Sequence, residues 1–182
     1  MDDNARPDLS SEPEVEIASK LFDSLYTATN QSPTLRQIWR TIYGDDYPEG
    51  TDPFSFVTLT DLQRFASSLH VQAGQTFADL ACGSGGPGLW VARQTGASLI
   101  GLDFSRVAIE QAQQRARQWN LGERATFAVR DMTATGLSVE SLDGAMSVDA
   151  LWLVPDKLAA VQEWARIIKQ SGRLVFTTWE MA

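Results

Sequence analysis

Residues 76 to 88, Thr-Phe-Ala-Asp-Leu-Ala-Cys-Gly-Ser-Gly-Gly-Pro-Gly, leave this chain few folds to choose from, because an apolar strand runs directly into a glycine-rich turn and then a helix. Phe77, Ala78, Leu80 and Ala81 suit a strand buried on both faces. Gly83 and Gly85 allow a sharp turn and a close approach of backbone to a ligand, and Pro87 fits the first turn of a helix continuing through Leu89 to Ala92. Gly83, Gly85 and Gly88 also satisfy G-x-G-x-x-G, but tight corners produce that pattern without any ligand, so the surroundings have to discriminate. Eighteen residues after Gly85, the run Ser-Leu-Ile-Gly-Leu ends in Asp103, where a carboxylate can accept hydrogen bonds from both hydroxyls of a ribose. Strand, turn, helix, second strand and acid compose one βαβ unit for a nucleotide-like ligand.

Asp79 narrows the ligand. It sits four residues before Gly83 and would repel a pyrophosphate at the helix start, which disfavours a dinucleotide such as NAD. A carboxylate there would instead stabilise an ammonium or a sulfonium. On these residues the chain resembles the class I S-adenosylmethionine-dependent methyltransferases, whose motif D/E-x-G-x-G-x-G falls on Asp79, Ala81, Gly83 and Gly85, with Ala81 in place of the first glycine. The resemblance covers about residues 71 to 179. It implies S-adenosyl-L-methionine as cofactor, held by Asp79, Ala81, Gly83, Gly85, Asp103, Phe104, Asp131, Met132, Val148 and Asp149.

Composition bounds the rest. At 182 residues, 43% of them hydrophobic, the chain is long enough for one domain with a core. A formal charge of −8 argues against a nucleic-acid partner, which requires clustered Lys and Arg. With Cys82 as the only cysteine there is no internal disulfide and no cysteine-rich metal site, which fits a cytoplasmic setting, and no metal ligand cluster stands out. No apolar run reaches membrane-spanning length, and the acidic start is unlike a secretory signal.

In chain order, residues 1–12 are polar and read as a disordered tail. A helix from Glu14 carries Val15, Ala18, Leu21, Phe22 and Leu25 on one face, and a second opens at Ser32-Pro33 with Leu35, Ile38, Trp39 and Ile42. Residues 43 to 56 mix aromatics, carboxylates and turn residues and read as a loop, to which the resemblance assigns the part of a segment before the first strand that folds over the cofactor and lines the substrate cavity. Thr58 to Leu69 reads as a third helix, completing an N-terminal helical cap and substrate loop over 13–70. His70, the only histidine, falls at the amino end of the sheet, whereas ligands of such sheets sit at the carboxyl ends.

Beyond Asp103, Ser105 is a natural N-cap, and a strand 125–129 leads to Asp131-Met132. A fourth strand, 142–148, ends at Asp149. A helix from Pro155 to Gly172 turns Leu158, Val161, Trp164, Ala165 and Ile168 inward, and a fifth strand runs from Arg173 to Trp179. Four strand ends thus each carry an aspartate: Asp79, Asp103, Asp131 and Asp149. Buried carboxylates in register need partners, and a cationic, hydroxyl-bearing ligand supplies them.

The expected fold is α/β, a three-layer sandwich with a mainly parallel sheet in the order 3-2-1-4-5, the order resting on the resemblance. Residues 71–182 form a Rossmann-like cofactor-binding domain that stops after strand five, where the family continues. That leaves Leu174, Val175 and Phe176 on an open edge suited to a homodimer. The expected reaction is in-line methyl transfer to a small-molecule acceptor. Tyr43, Tyr47, Asp45, Asp46 and Asp149 are candidate bases, and Trp152 is a candidate to stack on substrate. A cofactor-binding module without turnover and an NAD-dependent oxidoreductase are the alternatives.

Overall fold

The computed structural model describes residues 13–29, 32–52 and 54–179. The expected tail over 1–12 and the side chain of Val15 lie outside the described residues. In chain order come α1 (Pro13–Thr29), α2 (Pro33–Tyr43), α3 (Leu59–Leu69), β1 (Thr76–Leu80), α4 (Gly86–Thr95), β2 (Ser98–Asp103), α5 (Arg106–Gln118), β3 (Ala125–Val129), β4 (Leu142–Ser147), α6 (Lys157–Ile167) and β5 (Ile168–Phe176). The strands form one sheet in the order β3-β2-β1-β4-β5, every neighbouring pair parallel, as expected.

Residue alternation along β1 assigns its two faces. Phe77 packs with Phe65 and Leu69 of α3, Leu89 and Val91 of α4 and Ala116 of α5. Ala78 and Leu80 pack on the opposite side with Leu142, Trp164 and Ile167. Helices therefore cover both faces, which is why β1 is apolar at nearly every position. Because Phe65 and Leu69 belong to the same core as Phe77, α3 is a layer of the sandwich, while α1 and the loop after α2 reach the carboxyl edge.

Local sequence accounts for most helix starts. Thr58 and Asp61 form a reciprocal capping box on α3. Ser32 caps α2 and Ser105 caps α5, each accepting from an amide three residues on.

The last helix differs from its expected course. α6 starts after Asp156, which accepts from the Ala159 amide, and stops at Ile167, five residues before Gly172. Ile168 is already extended and opposite Leu142, and Lys169 reaches Asp143 of β4 at 2.7 Å, so pairing with β4 takes over from the helix. The buried face is Ala160, Trp164 and Ile167; Leu158, Val161 and Ala165 point outward. Both sets satisfy a helical period and share Trp164, so periodicity alone does not separate them. Among the described side chains of α1 the buried one is Tyr26, and Leu21 is exposed. In α2, Ile38 and Ile42 are exposed, while Leu35 and Trp39 are half-buried.

Candidate functional site

The chain leaves β1 through a turn that only unusual backbone can make. Ala81, Gly83 and Gly85 have φ of +63°, +53° and +78°, left-handed conformations in which alanine is strained and glycine is not. The Cys82 amide donates to the Leu102 carbonyl at 2.9 Å and the Gly85 amide to the Cys82 carbonyl at 2.9 Å, which folds the turn back against the end of β2. A side chain at Gly83 would collide with the Tyr26 hydroxyl. One at Gly85 would meet Ala112 of α5 at 2.8 Å and Phe127 of β3 at 3.2 Å. Gly85 is thus also required by packing inside the sandwich.

Asp103 ends β2 beneath this turn. Its Oδ2 accepts from the Gly83 amide and its Oδ1 from the Ser105 amide, both at 2.8 Å. Burial raises its pKa to about 6, against the opposing pull of those two amides. Asp79 is more isolated. It is 1% exposed, neither carboxyl oxygen has a normal hydrogen-bond partner, and a Cβ on Gly88 of α4 would come within 2.5 Å of Oδ2. Burial, followed by the charge on Asp103, pushes Asp79 up to about 7, with the nearby Gly88 amide pulling the other way.

The remaining two aspartates stand at the ends of β3 and β4. Asp131 Oδ1 accepts from the amide and the hydroxyl of Thr133, each at 2.7 Å, which fixes the carboxyl in a local turn. Met132 follows it, buried, its carbonyl receiving the Trp164 indole N–H at 3.0 Å. Val148 packs against the core on the side of Phe77. Asp149 has φ of +50°, and its Oδ2 accepts from the Phe56 amide at 3.0 Å. The four carboxylates therefore share the carboxyl edge of adjacent strands.

The loop residues 43–52 and 54–56 close on this edge. Tyr43 donates to the Phe56 carbonyl at 3.3 Å, so Tyr43 and Asp149 hold the two backbone polar groups of one residue. The Phe56 ring lies edge-on to Trp39 at 5.5 Å and to Trp179 at 4.9 Å. Burial raises the phenol pKa values of Tyr43 and Tyr47, with nearby carboxylates adding to the shift. Asp46 accepts from the amide and hydroxyl of Thr60 and serves the start of α3. Asp45 is exposed. Trp152 donates to the Asp149 carbonyl at 2.9 Å, which braces the end of β4. His70 is the exposed, left-handed C-cap of α3, away from the carboxyl edge.

Two residues of this region carry no sequence motif. Tyr26 projects from α1 so that its hydroxyl lies over Gly83, and burial, then Asp103, Cys82 and Asp79, raise its pKa well above the ordinary value. Its position is held by neighbouring contacts: Asp23 accepts from the Ser105 hydroxyl at 2.5 Å and the Val107 amide at 3.2 Å, Ser19 donates to the Phe104 carbonyl, and Phe22 meets the Phe104 ring edge-on at 5.4 Å. Arg115, buried in α5, donates through Nη1 to the Thr51 carbonyl at 2.6 Å and to the carbonyl and hydroxyl of Ser84 at 3.0 Å, and through Nη2 to Asp52 at 3.2 Å. It joins the loop to the glycine turn.

A cavity of about 200 Å³ lies on the loop side of the turn. It touches Ser84 and Tyr26 but none of the four strand-end aspartates, so Tyr26 is common to the cavity and the turn.

Residues 77–172, more than half of the chain, match the family model described as Methyltransferase domain. The chain is 31% identical over 127 residues to Methyltransferase GfsG of Streptomyces halstedii, covering 70% of this chain and 46% of that protein. It is 29% identical over 160 residues to the chloroplastic tocopherol O-methyltransferase of Arabidopsis thaliana, covering 78% and 46%. Among solved structures, geranyl diphosphate C-methyltransferase from Streptomyces coelicolor A3(2), in complex with Mg2+, geranyl diphosphate and S-adenosyl-L-homocysteine, superposes with a TM-score of 0.71 at 17% identity, covering 93% of this chain and 66% of that one. The [4+2]-cyclase SpnF does so with a TM-score of 0.71 at 22% identity, covering 88% and 59%. Those two likenesses concern the fold alone, and the chain spans about half the length of the curated relatives it matches. On the family match and the parallel 3-2-1-4-5 sheet that carries it, the chain belongs to the methyltransferase-domain family, of the class I S-adenosylmethionine-dependent kind.

Proposed function

We propose that this chain binds S-adenosylmethionine at the carboxyl edge of its sheet and serves methyl transfer to a small-molecule acceptor that enters from the loop side. The observation that carries the reading is the row of aspartates at four adjacent strand ends, headed by Asp79, a buried carboxyl whose two oxygens have no hydrogen-bond partner of normal geometry among the described residues. A buried, unpaired carboxyl is costly, and the ammonium of the cofactor is a group of the right charge to offset it. The bound cofactor supplies a methyl group activated on a sulfonium.

The chain's own residues fit that group. Each oxygen of Asp103 accepts one amide and retains a lone pair for a ribose hydroxyl. Asp131 has Oδ2 for an adenine amino group, with Phe104 and Met132 as apolar neighbours for the base. The backbone of Ala81 and Gly83 faces the ligand in this reading, and Val148 and Asp149 bound the end nearest the acceptor. Tyr43 and Asp149 hold Phe56 across the opening, which excludes water and orients whatever lies beneath. Holding the acceptor in line supplies most of the rate in such a displacement, so no covalent intermediate on the chain is required.

Membership of the family removes the reason to favour the nicotinamide reading. No described helix is long and apolar enough to cross a membrane. The reading is tested by release of S-adenosylhomocysteine in the presence of a panel of hydroxyl, amine and carbon acceptors. Acceptor-dependent release that is lost in Asp103→Ala is the expected result. Tight cofactor binding with no release from any acceptor, in this chain and in a protein of the relatives' full length, would instead favour a binding module.

A further inference from the structure

The cavity beside the turn has an uneven balance of charge. Its ring-bearing walls include Trp39, Phe54 and Phe56, and Arg36 and Asp52 supply its charged groups. Asp52 already accepts from Arg115 at 3.2 Å, and Arg36 Nε stands 4.0 Å from its other oxygen. Two guanidinium groups thus share one carboxylate, leaving one positive charge in excess. The next pair along the loop, Arg40 with Glu49, is balanced at 2.6 Å. Arg36 makes no hydrogen bond through its guanidinium among the described residues, and its side chain is 43% exposed, so its donors are open to a ligand. In a chain of net charge −8, a cation in excess at the mouth of an aromatic cavity selects for an anion.

Size and wall chemistry specify what carries the anion. An enclosed apolar cavity of about 150 Å³ takes up benzene, so this one, about 200 Å³ and open to solvent on one side, has room for one ring with a substituent toward the opening. Flat aromatic walls favour a flat aromatic occupant through offset and edge-on contacts. A guanidinium offers two parallel donors that match a carboxylate. We propose that this cavity is a binding site for a monocyclic aromatic carboxylate, with the ring against Trp39 and Phe54 and the carboxylate on Arg36. The proposal draws on the methyltransferase reading only in regarding the occupant as the acceptor; the site itself is testable without cofactor.

Benzoate and its neutral isostere benzamide are the probes, titrated at millimolar concentration by ligand-observed nuclear magnetic resonance, with and without S-adenosylhomocysteine. Benzoate should bind at least tenfold more tightly than benzamide, and the preference should weaken with added salt. Arg36→Met, which keeps a helix-forming side chain in α2, should abolish the preference while benzamide binding changes far less than benzoate binding, and Arg36→Lys should restore part of it. Equal binding of the two probes by the wild-type protein, or a benzoate preference that survives Arg36→Met, overturns the proposal. So does an Arg36→Met protein that loses S-adenosylhomocysteine tenfold while holding 5′-methylthioadenosine normally, because Arg36 would then serve the cofactor's own carboxylate. Failure to bind S-adenosylhomocysteine with the benzoate preference intact would refute the methyltransferase reading and leave this site standing.

Discussion

Replacing Arg115 by methionine should unfasten the loop from the glycine turn. The residue is 8% exposed and donates to three backbone or hydroxyl oxygens and one carboxylate, while Thr51, whose carbonyl receives the shortest of these bonds, is itself fully buried. Breaking a buried ion pair from one side costs about 3–5 kcal/mol. Asp52 keeps 28% of its side-chain surface in solvent, so its share is screened and the lower half of that range applies. The stranded Thr51 carbonyl adds about 1–3 kcal/mol, although the two effects are not additive. A net loss of about 3 kcal/mol follows, which at a urea slope of about 2–3 kcal/mol per molar lowers the unfolding midpoint by about 1 M. Urea unfolding followed by tryptophan fluorescence measures this, and hydrogen exchange should show the amides of 47–57 opening with the turn. Asp52→Asn separates charge from hydrogen bonding: it leaves Arg115 its three other acceptors but removes the only carboxylate beside a buried guanidinium, and should cost about 1–3 kcal/mol, less than Arg115→Met. A midpoint for Arg115→Met within 0.2 M of wild type at unchanged slope, a margin set as about a fifth of the expected shift, would show that the latch is energetically idle.

Three further outcomes follow from the turn. Ala81→Gly should stabilise the protein by about 0.5 kcal/mol, because relief of left-handed strain, about 1–2 kcal/mol, exceeds the added freedom of the unfolded chain, and a destabilised variant in the same urea titration would contradict this. Asp103→Ala should weaken S-adenosylhomocysteine by tenfold or more and also lower stability, since the Gly83 and Ser105 amides lose their acceptor; calorimetry with unchanged affinity in a folded variant would remove Asp103 from the site. Asp79 and Asp103 have folded pKa values of about 7 and about 6, above the ordinary 3.8, so the folded protein holds more protons than the unfolded one across that window. Their contribution to stability is full below about pH 4 and is lost as pH rises through 6 and 7, whereas a cationic ligand at Asp79 favours the carboxylate, so cofactor affinity should rise over the same interval with release of a proton. Calorimetry in buffers of different ionisation enthalpy reads that proton directly, and uptake on binding would reverse the assignment.

Much of this arrangement was legible because it is local. The strand, turn and helix from Thr76 to Ala92 announce themselves by short-range chemistry, and the aspartates at four strand ends follow once the strands are placed. Gly85 illustrates the limit: the sequence shows that a glycine is needed, but Ala112 and Phe127, which require it, arrive from α5 and β3. The phase of α6 was ambiguous because two overlapping apolar stripes share Trp164, and only the pairing of Ile168 and Lys169 with β4 selects between them. Tyr26 and Arg115 were invisible for the same reason. Each acts across a long stretch of chain, on Gly83 in one case and on Thr51 and Ser84 in the other, and no spacing rule reports such contacts.

The central claim concerns the ligand at the carboxyl edge, and titration calorimetry of the 182-residue chain with S-adenosylmethionine and, separately, NAD tests it most directly. One site per chain for S-adenosylmethionine, competed by S-adenosylhomocysteine and weakened at least tenfold by Asp103→Ala, with no heat from NAD, is the predicted result. Binding of NAD in preference to S-adenosylmethionine, or a folded protein that takes up neither, would contradict it.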